Sequence, residues 1–315
     1  MKVLLLLILI TLSSCSQLDS TNESYSYIGV DLEKESYKKI PIIEGKKTVS
    51  GYGPEVDSKE VFEASVPSDV IGLYLYPAGF NSLSYLRIVS QLQKYQITPN
   101  VYSGAGMGAV IASLLAMGIS PDHAEWKFFS LMESFKDSVY LSSEWKKVFF
   151  KFLKSEFEDK RIEELKYALI LPIYDKKLGK VRYLSRGNLY NVLVINFDFN
   201  EESEYFQSPL LRGDLQISDL MDKGIDRLAV VNSLGEELSL SEGNHFLIGI
   251  YSKLAGLAIH HKEVINDKLR WFNINLKQVY MDKVKDLQQL MRNSVEDNDQ
   301  SIVALREFMQ KGYKK

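Results

Sequence analysis

Cysteine is almost missing from this chain of 315 residues, which contains a single one. One cysteine excludes an internal disulfide and any zinc site built from several cysteines. The four histidines are too few and too scattered to suggest a histidine metal site, and we expect neither a metal nor a cofactor. A charge excess is lacking as well, since 38 basic and 41 acidic residues give a net charge of -3. That balance gives no electrostatic reason to expect nucleic-acid binding.

The one cysteine, Cys15, follows a segment that is typical of a secretory signal. Lys2 is followed by an apolar run at residues 3–12 and then by Ser13 and Ser14. A basic start, a short apolar run and small residues before a cleavage point are the parts of such a signal. The run is short for a segment that spans a bilayer. Residues 12–15 resemble the bacterial lipobox, in which the cysteine becomes the lipidated first residue of the mature chain.

This resemblance implies a signal peptide over residues 1–14 and a lipid on Cys15, with palmitate among its acyl chains. We then expect a protein of the bacterial cell envelope that is anchored to a membrane through Cys15 and faces the periplasm or lies on the outer membrane. Ser16 and Gln17 lack the aspartate that retains many lipoproteins in the inner membrane, which favours the outer one. The alternative is an ordinary signal peptide, or a membrane anchor with an incidental cysteine.

Residues 15–67 are polar and irregular, so we expect a tether between the lipid and a folded domain over residues 68–315. Beyond the tether, strands are predicted at 70–76 and 97–103, and helices at 84–95 and 108–117. Strands and helices that alternate in this way predict an α/β fold with a parallel sheet. Further strands are predicted at 167–174, 181–184, 227–231 and 269–276, and further helices at 187–191, 245–261, 279–291 and 301–309.

A glycine cluster lies between the second predicted strand and the helix after it, and its sequence is GAGMG at residues 104–108. A strand, a sharp glycine turn and a buried helix present either a nucleophile or a phosphate-binding helix N-terminus. Residues 104–109 also fit the dinucleotide fingerprint, which needs an acidic residue at the end of the next strand. Asp122 has about the right separation, but it follows a serine and a proline at the start of a predicted helix. We therefore disfavour a dinucleotide site.

The order of these elements resembles the patatin-like phospholipase family. That family has a glycine-rich oxyanion loop after its first strand, then a helix, then a Gly-x-Ser-x-Gly nucleophile elbow. Residues 73–92 align without a gap with the first strand, loop and helix, and residues 97–118 align with the second strand, elbow and helix. Weaker likeness extends over about residues 68–310. The resemblance implies a three-layer α/β/α domain with a mainly parallel central sheet, and in the family a Ser–Asp dyad hydrolyses lipid esters.

The chain departs from the family at the catalytic dyad. Gly104 and Gly108 keep the flanking glycines of the elbow, but Gly106 stands where the nucleophilic serine belongs. Glycine has no oxygen with which to attack an ester. Arg212 occupies the best match to the dyad aspartate, and Asp214 reaches that position only with a shift of the alignment. The nucleophile position and the dyad position are therefore both degenerate.

The oxyanion loop is degenerate as well. The family's consecutive glycines and its basic residue match a segment that contains Pro77, Ala78, Gly79 and Asn81. Proline has no N–H to donate, so we expect one oxyanion donor to be missing. Three altered catalytic elements together predict an enzyme that has lost its reaction.

The sequence thus predicts a membrane-anchored lipoprotein that is catalytically inactive. Such a protein binds a lipid or an acyl chain in the former cleft, or acts as a scaffold for a protein partner. The alternative is a lipid acyl hydrolase of the phospholipase A type with a displaced nucleophile, for which Ser103 is the fallback. Several aromatic residues cover the sheet in our preferred interpretation and face lipid in the other: Trp126, Phe128, Phe129, Trp145, Phe149, Phe150 and Phe152.

Overall fold

The structure is a computed structural model, and it describes residues 69–135, 138, 142–200, 202–212, 214–234, 245–262, 267–276, 287–296 and 298–312. The predicted signal peptide, Cys15 and the predicted tether lie outside the described residues. So do the side chains of His245, His260 and His261, and most of the helix predicted at 279–291.

Seven strands of the described part form one sheet, and they are β1 (Ile71–Leu75), β2 (Val101–Gly104), β3 (Ala168–Asp175), β4 (Lys180–Leu184), β5 (Phe206–Gln207), β6 (Arg227–Asn232) and β7 (Leu269–Asn273). Their order in the sheet is β4-β3-β2-β1-β6-β7, with β5 paired to β3. The pairs β1–β2, β1–β6, β2–β3 and β6–β7 are parallel, whereas β4 and β5 run antiparallel to β3.

The central strands form where the sequence has short, continuous apolar runs. All five residues of β1 are buried, as are all four of β2 and five of the six in β6. Strands that are apolar on both faces require cover on both faces, which is the usual situation in a parallel sheet. Leu75, the last residue of β1, pairs with Gly104, the last residue of β2, so both strands end at one edge. We call this edge the carboxyl edge.

Helices flank the sheet and cover the apolar strands. The helices of the described part are α1 (Ser84–Lys94), α2 (Met107–Ala116), α3 (Pro121–Phe135), α4 (Ser143–Phe157), α5 (Leu189–Asn196), α6 (His245–Lys262), α7 (Leu287–Glu296) and α8 (Asp299–Gln310). The helix α2 is buried along its whole length and contacts β1, β2 and β3, while α8 contacts β6 and β7. None of the helices in the described ranges is long and apolar enough to cross a membrane. The predicted α/β fold with a mainly parallel central sheet is confirmed.

The strand β3 is longer than its parallel neighbour. It pairs with β2 only at Ala168, Leu169 and Ile170, and the rest of the strand continues past the end of β2. That second half pairs with β4 from Leu171 to Asp175. The β3–β4 hairpin therefore projects beyond the carboxyl edge.

The aromatic residues of α3 and α4 are divided between the core and the surface. Phe128, Trp145 and Phe149 are fully buried, as expected of residues that cover a sheet. Trp126 and Phe129 are 65% and 39% exposed and stack on each other with ring centroids 5.9 Å apart. The interpretation that these aromatics pack inward holds for the first three and is wrong for this exposed pair.

Candidate functional site

The elbow at Gly106 has the backbone of a sharp strand-to-helix turn. Gly106 follows the end of β2 closely and is the residue immediately before α2, with φ 54° and ψ -128°. L-residues rarely adopt a positive φ of this kind, whereas glycine does so at little cost. The Gly106 carbonyl accepts a hydrogen bond from the Ala109 N–H at 3.0 Å, which starts the helix. The chain thus has the turn that displays a nucleophile in hydrolases with this motif.

The two flanking glycines are required by close backbone contacts. A Cβ built on Gly108 would lie 2.2 Å from the carbonyl oxygen of Leu75 in β1. A Cβ built on Gly104 would lie 2.7 Å from the carbonyl carbon and oxygen of Gly108. Neither position has room for a side chain, because β1, β2 and α2 meet here. These glycines allow the strands and the helix to pack closely whether or not a reaction takes place.

The position where the side chain of a nucleophile would begin lies against apolar side chains. A Cβ built on Gly106 would lie 3.0 Å from Leu210 Cδ1 and 3.7 Å from Pro77 Cβ. Leu210 is buried in the short 3-10 helix Pro209–Arg212. A side chain at position 106 would therefore press on Leu210, which would have to shift by a few tenths of an ångström. The sequence offered no signal for this contact, because the two residues are far apart along the chain.

Asn196, at the end of α5, fixes the elbow from the other side. Its Oδ1 accepts a hydrogen bond from the Gly106 N–H at 3.1 Å, and its Nδ2 donates to the carbonyls of Pro172 (3.0 Å) and Val192 (3.2 Å). The side chain is completely buried. A buried polar group with all its partners in place specifies one local geometry. Sequence reasoning missed Asn196, although an asparagine within an apolar helix pattern is a signal that it has a buried partner.

Two amides of the loop that matches the oxyanion loop are bonded within the loop. Pro77 has no N–H, and the Ala78 N–H donates to Ser82 Oγ at 3.1 Å. The Asn81 N–H donates to the Ala78 carbonyl at 3.0 Å. Gly79 has φ 54° and begins the 3-10 helix Gly79–Leu83, whose residues are all buried. The loop is therefore a closed turn in which these amides are already bonded within the chain.

The Asn81 side chain ties this loop to the end of β6. Its Nδ2 donates to the Ser233 carbonyl at 3.4 Å, and Ser233 Oγ donates to the Asn81 carbonyl at 3.1 Å. The Ser233 N–H donates to the Tyr85 hydroxyl at 3.1 Å, and that hydroxyl donates to the Tyr76 carbonyl at 2.7 Å. Burial raises the pKa of Tyr85 and keeps it neutral, so this network is structural.

Ser103, the fallback nucleophile, lies in the sheet. It pairs with Tyr74 in β1 and with Ile170 in β3, and it is buried. Its Oγ donates to the Ile170 carbonyl at 2.6 Å. A backbone carbonyl is not a general base, so this contact does not activate the hydroxyl.

The two candidates for the dyad position lie at the surface. The Arg212 guanidinium stacks over the Tyr174 ring at 4.2 Å. Asp214 is exposed, and its Oδ1 accepts a hydrogen bond from the Gln216 N–H at 2.9 Å. Within the described ranges, neither side chain makes a hydrogen bond to the elbow at 104–108, and no cluster of ligating side chains could hold a metal. Gly213, between the two, lies outside the described residues.

Comparison with known proteins adds a distant likeness of fold. No family model and no curated protein matches the chain. Among solved structures, VipD from Legionella pneumophila matches with a TM-score of 0.42 and 12% identity, over 77% of this chain and 67% of that one. The type III effector protein ExoU matches with a TM-score of 0.35 and 11% identity, over 80% of this chain and 54% of its own length. Both scores are below 0.5, so the fold assignment rests on the topology described above.

Proposed function

We propose that this chain is a membrane-anchored lipoprotein of the bacterial envelope whose patatin-like domain has lost catalysis. The domain serves as a non-catalytic scaffold or lipid-binding module. One observation carries the proposal: the nucleophile position is Gly106, and Leu210 Cδ1 lies 3.0 Å from where its side chain would begin. An acyl transfer at this position has no attacking atom.

The environment of the elbow supports the same conclusion for the oxyanion. Hydrolysis of an ester requires hydrogen-bond donors aimed at the oxygen that becomes negative. Here Pro77 has no donor, and the Ala78 amide is already bonded to Ser82. Removal of one such donor alone costs about 100-fold to 1,000-fold in rate in hydrolases.

The contact between Leu210 and the elbow favours the scaffold over the lipid-binding module. An acyl group placed at Gly106 would contact Leu210, which is buried. A protein partner requires no such contact, because it binds the surface of the domain.

Turnover of a fluorogenic ester and a phospholipid by the purified protein tests the loss of catalysis. We expect no turnover above background and no labelling by a serine-directed fluorophosphonate. Ser103→Ala provides the comparison, and Ser113→Ala is the matched control, since Ser113 is a buried serine whose hydroxyl also donates to a carbonyl. Turnover that is lost in Ser103→Ala and kept in Ser113→Ala would establish the hydrolase with a displaced nucleophile and refute the proposal.

Metabolic labelling with palmitate tests the anchor. Cys15 is the only cysteine of the chain, so no other thiol competes for a lipid. We expect label in the wild-type protein and none in Cys15→Ser. Equal labelling of both chains, or labelling of neither, would refute the lipoprotein part of the proposal and leave the account of Gly106 untouched.

A further inference from the structure

The helix α8 carries opposite charges on one outward face. Asp299 and Val303 are exposed and Arg306 is half-buried, whereas Ile302 is buried. The spacing of the first three residues, at i, i+4 and i+7, puts them on one side of the helix. Asp299 and Arg306 are about two turns apart, which separates their Cα atoms by about 10 Å along the helix axis. Along this face a carboxylate is therefore followed by a valine and then by a guanidinium.

Neither of these charges is neutralised within the part of the chain that the structure describes. Asp299 and Arg306 form no ion pair there. The Arg306 guanidinium lies over the Tyr95 ring, with Cζ 4.5 Å from the ring centroid. This contact orients the guanidinium and leaves its charge uncompensated. Both charges can therefore pair with groups outside the domain.

A depression beside α8 has the form of a hole for the side chain of another helix. Its lining includes Asp299, Ile302, Val303 and Arg306 together with Tyr95. When two helices pack, each side chain of one enters a hole between four residues of the other, and positions i, i+3, i+4 and i+7 form such a hole. Val303 is 40% exposed and Tyr95 is 50% exposed. The surface thus offers a hole and, in Val303, a side chain of a size to enter one.

This face of α8 is complementary to itself. The midpoint between Asp299 and Arg306 falls next to Val303, so reversing the helix about that point exchanges the two charges. In an antiparallel pair, each Asp299 then faces Arg306 of the other copy, and each Val303 faces the hole. A two-fold interface has this property, because a contact from residue i to residue j implies the contact from j to i. We propose that the chain forms a two-fold dimer in which α8 packs against α8 of a second copy.

The neighbouring charge on α8 does not oppose this arrangement. Glu307 lies about 100° around the helix from Arg306, on the side away from Tyr95. A two-fold axis that lies between the helices and crosses them at right angles brings this side against the same side of the second copy, where Gln300 lies. Glu307 then faces an uncharged side chain and not Asp299. The order of the charges along the face, and not a net charge, selects the second copy.

Charge reversal tests the pairing. Asp299→Arg places like charges at both contacts, and so does Arg306→Glu, so each variant alone should be monomeric where the unreversed chain dimerises. A mixture of the two variants has opposite charges at both contacts and should form a mixed dimer. Sedimentation velocity of the full chain over a range of concentrations measures each case. Every sample carries Cys15→Ser, so that no disulfide joins two copies.

The size of the effect follows from the two ion pairs of the dimer. An exposed ion pair changes an association constant by up to about 5-fold, so each single reversal should raise the Kd by about 25-fold. The mixture should return to the Kd of the unreversed chain. Glu133→Arg and Lys151→Glu are the matched controls, since both residues are exposed on other helices, α3 and α4. These reversals, alone or mixed, should leave the Kd unchanged.

The dimer is expected to be weak, because α8 has 12 residues and is about 18 Å long. A chain that stays monomeric up to about 1 mM would overturn the proposal. A dimer that survives either reversal, or reversed variants that fail to combine while circular dichroism shows them folded, would overturn it as well. Neither the anchor nor the elbow contributes to this interface, so these results are separate from the palmitate and ester experiments.

Discussion

Replacing Gly106 with serine adds a side chain that would press on Leu210. The backbone at Gly106 has φ 54°, and a residue with a Cβ in such a conformation costs about 1–3 kcal/mol. The Cβ would also lie 3.0 Å from Leu210 Cδ1. Extra atoms in a packed core destabilise a fold by a further amount of about 1–3 kcal/mol. We expect Gly106→Ser to destabilise the fold by both terms and to gain no esterase activity.

The second term can be isolated by a double-mutant cycle with Leu210→Ala. That single substitution removes a buried leucine and costs about 2–5 kcal/mol. In the double variant the serine no longer meets Leu210, so the overpacking cost disappears. We expect the double variant to be more stable than the sum of the single effects by about 1–3 kcal/mol, well above the usual error of additivity of about 0.5 kcal/mol. Urea unfolding followed by circular dichroism measures all four free energies.

Gly224→Ser is the matched control for this cycle. Gly224 also has a positive φ, of 88°, but a Cβ there would have no atom within 4 Å. It therefore shares the backbone strain and lacks the contact with Leu210, so its cycle with Leu210→Ala should be additive. Additivity at Gly106, or the same coupling at Gly224, would refute the conclusion that a side chain at position 106 is crowded by Leu210.

Three further results are expected. Asn196→Asp should destabilise the fold increasingly above about pH 4, because burial raises the pKa of the new carboxyl and its ionised form cannot donate to the Pro172 carbonyl. A loss of stability that is independent of pH in urea unfolding would contradict this. Burial raises the pKa of Tyr74 and Tyr183, so the free energy of unfolding should be constant below about pH 10 and fall above it, where the unfolded state releases these protons. A free energy of unfolding that does not fall above about pH 10 would contradict this. Ser142→Ala should lower the stability measured by thermal unfolding by about 1 kcal/mol, because the Ser142 hydroxyl caps α4 by accepting a hydrogen bond from the Trp145 N–H at 3.2 Å. The control Ser143→Ala should have no such effect.

The sheet could be predicted because its strands are short apolar runs between turn residues. The prediction at 70–76 became β1 at Ile71–Leu75, and that at 227–231 became β6 at Arg227–Asn232. The start of α3 was predicted from a serine before a proline, and Ser120 Oγ does accept a hydrogen bond from the His123 N–H at 3.3 Å. Signals of this kind are local, so the sequence carries them without knowledge of the tertiary structure.

The packing around the elbow could not be predicted, because it depends on contacts between distant segments. Leu210 lies in a short 3-10 helix that follows β5, and this helix places it against Gly106. The strand β5 has only two residues, so no run of apolar residues predicts it. The helix predicted at 187–191 is longer than expected and ends at Asn196, whose amide bonds the elbow. The motif predicted that a nucleophile is missing, and only the structure identified Leu210 as the side chain nearest to that position.

The direction of β1 determines how far the predicted tether must reach. This strand begins at Ile71 on the edge opposite to the elbow, so the predicted tether joins the domain on the far side from the elbow. A domain of about 250 residues has a radius of gyration of about 18 Å. Residues 15–67, fully extended, have a contour length of up to about 180 Å, several times that radius. A tether of that length would let the elbow face a membrane to which Cys15 is anchored, although the tether joins the opposite edge of the sheet.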